Sequence, residues 1–158
     1  MSLSAALTDL QSKVGTETHV SDWLIVSQEM INQFAEATLD RQWIHVDLER
    51  AANESPHGTT IGHGYLTLSL ISHLASNVDP ERPRYGGMKM AINYGLNRVR
   101  FPHPVPAGSR IRARVTLQGA DEVKDNGIQV VNQVTVELEN AEKPACVAET
   151  LARLYFES

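Results

Sequence analysis

The spacing of apolar residues changes from a helical to an alternating period about halfway along the chain. Helical spacing predicts a peripheral N-terminal helix over residues 3–14, a helix over residues 28–38 capped by Ser27, and a short helix over residues 47–53. Residues 64–76 are apolar on every side of the helical wheel, so we expect that helix to be buried on most sides.

Alternation begins after Gly87 and predicts a series of antiparallel strands. The predicted strands cover residues 88–101, with an irregularity near Gly95, and then residues 111–117, 128–138 and 147–156. In the predicted strand over residues 128–138, the alternating positions are Ile128, Val130, Asn132, Val134, Val136 and Leu138. Helices followed by antiparallel strands predict an α+β fold.

Composition narrows the possible classes of protein. The chain has 158 residues, 42% of them hydrophobic and 21% charged, which is typical of one soluble globular domain. A net charge of −5 argues against a nucleic-acid partner. The single cysteine, Cys146, excludes an internal disulfide and is expected to be an apolar filler in a strand. With no transmembrane run or signal peptide apparent in the sequence, we expect a cytoplasmic protein without a membrane partner.

Asp40 and His45 are candidates for acid–base chemistry, provided that they can meet. A helix would turn the two side chains about 140° apart, and a strand would put them on opposite faces. A bend in the four residues between them is therefore required. The alternatives are a turn-forming Asp and a satisfied core histidine.

Two motifs resemble one known family. The run DRQWIHVD at residues 40–47, followed by SPHGTTIGHGYLTLSL at residues 55–70, is similar to the MaoC-like dehydratases and (R)-specific enoyl-CoA hydratases. The first run looks closest to the nodulation protein N-like branch, and residues 93–113 also resemble this family. The resemblance implies a single hot-dog domain over residues 1–158, in which a curved antiparallel sheet wraps around the central helix, and a homodimer.

The resemblance also implies an enzyme, a lyase that hydrates trans-2-enoyl-CoA reversibly to (R)-3-hydroxyacyl-CoA. Asp40 and His45 would activate one water, and the Gly64 N–H would bind the thioester oxygen. Coenzyme A would be part of the substrate, and no cofactor is expected. A hot-dog acyl-CoA thioesterase and a non-catalytic acyl-thioester binding protein are the alternatives.

Four further residues are predicted to contact the substrate: Trp43, His63, Tyr65 and Ser72. Gln42 and Trp43 stand where related hydratases have Asn-Pro, and we expect the Trp43 ring to narrow the acyl end of the pocket. Ser72 matches a pocket-lining serine in those hydratases, and the alternative is a bond to its own helix backbone.

No metal site is predicted, because the spacings of His45, His57 and His63 match no tight ligand motif. Arginines occupy one face of a predicted strand at positions 110, 112 and 114. They form either a solvated face or a site for the phosphates of coenzyme A, and the sequence leaves both open.

Overall fold

The structure, a computed structural model, describes residues 2–75 and 85–157. These residues form five helices and six strands. In chain order they are α1 (Leu3–Ser12), β1 (Glu17–Val20), β2 (Leu24–Ile25), α2 (Gln28–Thr38), α3 (Trp43–Val46), α4 (Leu48–Glu54), α5 (Gly64–Leu74), β3 (Met88–Arg100), β4 (Arg110–Val123), β5 (Gly127–Leu138) and β6 (Cys146–Phe156).

The six strands form one curved antiparallel sheet with α5 packed against its inner face. The strand order is β1-β4-β5-β6-β3, and the short β2 also pairs with β4. Leu66, Ile71 and Leu74 of α5 are buried in one core cluster with inward-facing residues of β4, β5 and β6. The predicted fold, an α+β hot dog in which a curved sheet surrounds a central helix, is confirmed.

Local signals in the sequence account for most element boundaries. Ser27 caps α2 as predicted, and its hydroxyl accepts a hydrogen bond from the Met30 N–H at 3.1 Å. Asp125 and Asn126 both have positive φ, 64° and 58°, in the three-residue loop over residues 124–126 between Val123 of β4 and its partner Gly127 of β5. A register shift between Asn93 and Gly95 confirms the irregularity in β3. The predicted end of α5 at Ser76 lies outside the described residues.

Helix α1 covers one end of the sheet. Its Ala6 and Leu10 are buried in a second core cluster with Leu117, Ile128 and Phe156. Cys146 is fully buried in the main cluster, and burial raises the pKa of its thiol to about 11. Cys146 is therefore the apolar filler that the sequence predicts, and its thiol stays protonated at neutral pH.

Strand β3 forms an edge of the sheet and carries an apolar surface. It pairs with β6, and within the described residues no strand covers its other side. The exposed apolar side chains on it are Met90, Ile92, Tyr94 and Leu96. A long apolar edge strand invites pairing with another strand. Within residues 2–75 and 85–157, no helix has both the length and the apolar character needed to cross a bilayer.

Candidate active site

Asp40 follows a sharp reversal at the end of α2. Leu39 has left-handed backbone angles, with φ 65° and ψ 12°, which is uncommon for a residue other than glycine. The reversal presents the Asp40 main-chain carbonyl to His63, whose Nε2–H donates a hydrogen bond to it at 2.9 Å. The Asp40 side chain remains exposed. The left-handed Leu39 thus ends α2 and brings Asp40 into the same cleft as Gly64, the first residue of α5.

His45 lies in α3, a single turn that the sequence patterns did not predict. Its Nδ1 lies 2.6 Å from the Ile61 carbonyl, and it can bond a carbonyl only as a donor. The proton is therefore on Nδ1, and Nε2 keeps its lone pair. The His45 main-chain carbonyl accepts a hydrogen bond from Gln28 Nε2 at 2.7 Å, while Gln28 Oε1 accepts one from the Thr60 hydroxyl.

The imidazoles of His45 and His63 stack on each other beside Asp40. Their ring centroids are 3.8 Å apart with 23° between the planes, and Phe34 packs against His63 at 5.0 Å. One ligand atom from each of Asp40, His45 and His63 lies within 4.8 Å of the others. The bend that the sequence requires is supplied by residues 41–42 and the α3 turn, and the structure brings Asp40 and His45 together.

Burial controls the protonation of His45. Loss of hydration lowers the pKa of the imidazole, and the nearby His63 adds to this effect. The bond to Ile61 and the charge of Asp40 oppose the shift without cancelling it. His45 is therefore neutral at pH 7, and its Nε2 can accept a proton.

Gly64 is the first residue of α5 and forms the floor of the site. None of the described residues accepts a hydrogen bond from its N–H, which points out of the helix N-terminus. A Cβ at this position would lie 3.0 Å from the Phe101 ring, so a larger residue would have to displace that ring. Gly64 therefore both permits close packing of the Phe101 ring and presents to the cleft an N–H donor that is unpaired within the described residues.

These residues line an open cleft of about 440 Å³. The lining consists of Phe34, Thr38, Asp40, His45, His63, Gly64, Tyr65 and Phe101. The Tyr65 side chain is 71% exposed and meets Phe101 edge-to-face at 6.2 Å. Five of the seven site residues predicted from the sequence line this cleft. The polar side chains of Asp40, His45 and His63 share it with the aromatic rings of Phe34, Tyr65 and Phe101.

The other two predicted residues, Trp43 and Ser72, do not line the cleft. The Arg50 guanidinium covers the Trp43 ring at 4.3 Å, so no contact supports the prediction that this ring narrows the pocket. Ser72 lies about two turns further along α5 and lines a second cavity. Its role in substrate binding stays a prediction.

The cluster of Asp40, His45 and His63 has the donor set of a metal site, but its geometry favours acid–base chemistry. Nitrogen lone pairs lie in the ring plane, and a metal ion needs them to converge on one point. Two stacked rings direct their lone pairs along nearly parallel planes instead. His57, the third histidine weighed for a metal, is exposed in the turn after α4 and is absent from this cluster.

The strand arginines are paired with glutamates. Arg110 bonds Glu139, Arg112 bonds Glu137 at 2.5 Å, and Arg114 bonds both Glu137 and Glu17. These pairs lie on the outer face of the sheet, and their carboxylates already neutralise the guanidinium groups. The structure therefore favours the solvated face over a phosphate site.

Sequence reasoning missed residues that shape the cleft. Phe34 appears in the sequence only as part of a buried helix stripe, and Phe101 only as the end of a strand. Gln28, which holds the His45 carbonyl, gave no signal beyond its place in the first turn of α2. Thr60, fully buried next to it, is a polar residue that needs a partner.

Comparisons with known proteins identify the family of the chain. A family profile described as MaoC like domain matches residues 9–140. The chain is 48% identical over 148 residues to the 3-hydroxyacyl-thioester dehydratase Z of Mycobacterium tuberculosis (strain ATCC 25618 / H37Rv), covering 94% of this chain and 95% of the relative. It is 44% identical over 151 residues to the nodulation protein N of Rhizobium meliloti (strain 1021), covering 96% and 92%.

A solved structure shows the same fold. The R-hydratase PhaJ1 from Pseudomonas aeruginosa, in its unliganded form, aligns with a TM-score of 0.66 at 22% identity, covering 91% of this chain and 83% of that one. The chain belongs to the MaoC-like family. It is an enzyme of the hydratase/dehydratase class, a lyase.

We expect the pKa of His45 in the folded protein to lie below the ordinary histidine value of about 6.5, because burial penalises the imidazolium. As the pH falls through the ordinary histidine pKa of about 6.5, the unfolded chain takes up a proton at His45 while the folded chain remains mostly unprotonated there. This residue therefore lowers the free energy of unfolding on acidification. Nuclear magnetic resonance of the imidazole against pH measures the pKa, with a peptide of residues 41–49 as reference. A His45 pKa at or above that of the peptide would contradict the burial argument.

Proposed function

We propose that this protein hydrates a trans-2-enoyl thioester reversibly to the (R)-3-hydroxyacyl thioester. One observation carries the proposal: a carboxylate oxygen of Asp40 and a ring nitrogen of His45 lie within 4.8 Å of each other beside the N-terminus of α5, and the neutral His45 ring has its Nδ1 bonded to Ile61. A water held between them has one acceptor on each side. The names of the relatives, a 3-hydroxyacyl-thioester dehydratase and an R-hydratase, support the same chemistry.

In the hydration direction, the water oxygen forms a bond to C3 of the enoyl group. One proton of the water passes to the Asp40–His45 pair, and the pair delivers one proton to C2, so the enzyme is unchanged after a cycle. Addition of both groups from one water explains why the pair needs an acceptor and a donor on the same face of the double bond. Dehydration runs the same steps in reverse.

The Gly64 N–H is the proposed donor to the thioester oxygen. Negative charge develops on this oxygen as C3 is attacked, and the helix N-terminus places a positive dipole end beside it. The lack of a side chain at Gly64 lets the oxygen approach the N–H next to Phe101. A donor aimed at developing charge lowers the barrier more than it tightens ground-state binding.

His63 is proposed to position Asp40 and to orient His45 rather than to transfer a proton. Its Nε2–H is occupied by the Asp40 carbonyl, and its Nδ1 is buried without a hydrogen-bond partner in the described residues. Tyr65 and Phe101 lie at the mouth of the cleft, where they would contact the substrate beyond the reacting carbons.

The chemistry as proposed uses only groups of the chain and one water, with coenzyme A as part of the substrate and no cofactor. A thioesterase in the same cleft would direct the water at the thioester carbonyl carbon instead of C3. Loss of the enoyl absorbance without release of a free thiol would support hydration. Thiol release would favour the thioesterase, and binding without either change would favour an acyl-thioester binding protein. The cytoplasmic location stays a prediction.

We also propose that the protein is a homodimer in which β3 pairs with its copy. The exposed apolar residues of β3 lie along an uncovered edge, and pairing two such strands would join the sheets and cover them. β3 leads directly to Phe101 in the wall of the cleft, so the interface would adjoin both active sites.

Asp40→Asn is expected to lower turnover of the best enoyl-CoA at least about a hundredfold, because the amide cannot accept a proton and shape is conserved. Steady-state kinetics measure the loss, and a thermal melt checks that the fold is kept. A variant with most of its activity intact would remove Asp40 from the mechanism.

The double variant Asp40→Asn, His45→Gln is expected to lose much less activity than the product of the two single losses. Two groups that act on one water work as a unit, so their effects are not additive. Turnover of the four proteins in parallel gives the comparison. Losses that multiply would mean that Asp40 and His45 act on separate steps.

Ile92→Lys is expected to convert the dimer to a monomer, since it places a charge on the apolar edge where the Ile92 side chain is 44% exposed. The mass in solution, from light scattering after gel filtration, gives the answer. Leu48→Lys is the matched control, because Leu48 is 60% exposed on α4, away from β3. A wild-type monomer, or an Ile92→Lys dimer, would contradict the proposed interface.

A further inference from the structure

A second cavity lies between α5 and the inner face of the sheet, separate from the catalytic cleft. It has a volume of about 380 Å³ and is walled mainly by Leu68, Ile71, Ala75, Val134 and Ala152. A smaller cavity of about 70 Å³ adjoins it, and the two share the lining residues Ser72, Asn93, Asn132 and Ala152. None of the described residues that line either cavity is charged.

Polar residues interrupt an otherwise apolar surface at this point. Asn132 is the one polar residue on the inward face of β5, where the other inward positions are Ile128, Val130, Val134, Val136 and Leu138. Its register partner on β6, Thr150, is likewise polar among inward-facing apolar residues. Asn93 reaches the same place from β3, the strand next to β6. Three neighbouring strands thus place an amide, a hydroxyl and a second amide opposite Ser72.

These groups make little use of one another. Asn93 Nδ2 donates a long hydrogen bond of 3.4 Å to the Ser72 hydroxyl. Asn132 is 7% exposed, and none of the described residues hydrogen-bonds its side chain. Its amide is thus available to a hydrogen-bonding group that enters the cavity, and an apolar residue would fill the same inward position of β5 without needing a polar partner. The Asn132 amide faces the cavity and can both donate and accept a hydrogen bond.

The cavity continues the line of the catalytic cleft along α5. Tyr65 borders the cleft, and Leu68, Ser69 and Ser72, three, four and seven residues later, border the cavity. Residues at these spacings share one face of a helix. The rise from Gly64 to Ser72 is about 12 Å. If the thioester oxygen of a substrate binds at Gly64, atoms of its acyl chain several carbons beyond the reacting double bond would therefore lie beside Ser72, Asn93 and Asn132.

We propose that this cavity binds a neutral oxygen, a hydroxyl or a carbonyl, carried within the acyl chain of the substrate. The inference rests on the proposed hydration of enoyl thioesters and specifies the acyl group that the enzyme prefers. The amides of Asn132 and Asn93 and the hydroxyls of Ser72 and Thr150 hydrogen-bond that oxygen, while the apolar walls contact the carbons on either side. Within residues 2–75 and 85–157 the lining offers no cation to pair with a carboxylate, which disfavours a carboxylate at the same place.

The test compares 2-enoyl-CoA substrates in pairs of equal length, with and without a hydroxyl or keto group at successive distal carbons. For the pair whose oxygen reaches the cavity, the wild-type enzyme should show a kcat/KM about tenfold higher for the oxygenated member. Asn132→Leu keeps a similar volume and removes the amide, so it should bring that ratio to one or below. Hydration of a four-carbon enoyl-CoA, too short to reach, should not change.

Gln133→Leu is the matched control. Gln133 follows Asn132 on β5 and faces the opposite side of the sheet, so this variant makes the same kind of change outside the cavity. Its preference for the oxygenated substrate should equal that of the wild type. Thermal melts of both variants establish that they fold.

Binding affinities of saturated acyl-CoA pairs, measured by calorimetry, distinguish failure of the cavity proposal from failure of the proposed hydration reaction. Tighter binding of the oxygenated member by the wild type, but not by Asn132→Leu, supports the cavity site even if no substrate is hydrated, in which case the proposed reaction is wrong. Normal hydration with no preference for oxygen at any position overturns the cavity proposal alone. The same conclusion follows if Asn132→Leu keeps the preference, since Asn132 would then bond only ordered water.

Discussion

The stacked imidazoles of His45 and His63 form the contact on which the rest of the site depends. His63 precedes the first residue of α5 and bonds the carbonyl of Asp40, while His45 bonds the carbonyl of Ile61 just before α5. The loop after α2 is thereby tied to the central helix from both sides. Burial lowers the pKa of His45 and keeps it uncharged, while the bond from His63 holds the Asp40 main chain beside the two rings.

Much of the fold follows from the sequence because the apolar period is strong. The change from helical to alternating spacing separates α2 and α5 from the strands, and the Ser27 cap gives a boundary that the structure reproduces. The motif around Asp40, His45 and Gly64 identifies the family and three residues of the cleft. These features are local, so a reading of neighbouring residues can find them.

The remaining features arise from tertiary contacts. Nothing in the local pattern indicates that Leu39 adopts a left-handed conformation, and the bond from His63 to the Asp40 carbonyl that follows it joins residues far apart in sequence. Phe101 lies far from Gly64 in sequence and meets it only in the folded chain. At Trp43 the local pattern pointed to a contact that the folded chain does not show. Its position between Asp40 and His45 predicted a place in the substrate pocket, but its ring packs against the Arg50 guanidinium. Asn132 is a polar residue in an otherwise apolar alternation, which the sequence does show. Its polar neighbours, Thr150 on β6 and Asn93 on β3, become apparent only when the strand order is known.

The strand order also has a consequence for synthesis on the ribosome. β3 is the first long strand to be made, yet its neighbour in the sheet is β6, the last. While β4 and β5 are being translated, they can pair with each other, but β3 has no intramolecular partner. Its apolar side chains are then exposed in a nascent chain, a state prone to aggregation. Native pairing of β3 must therefore wait until residues 146–156 have emerged, and a chaperone that shields β3 during this interval would favour correct folding.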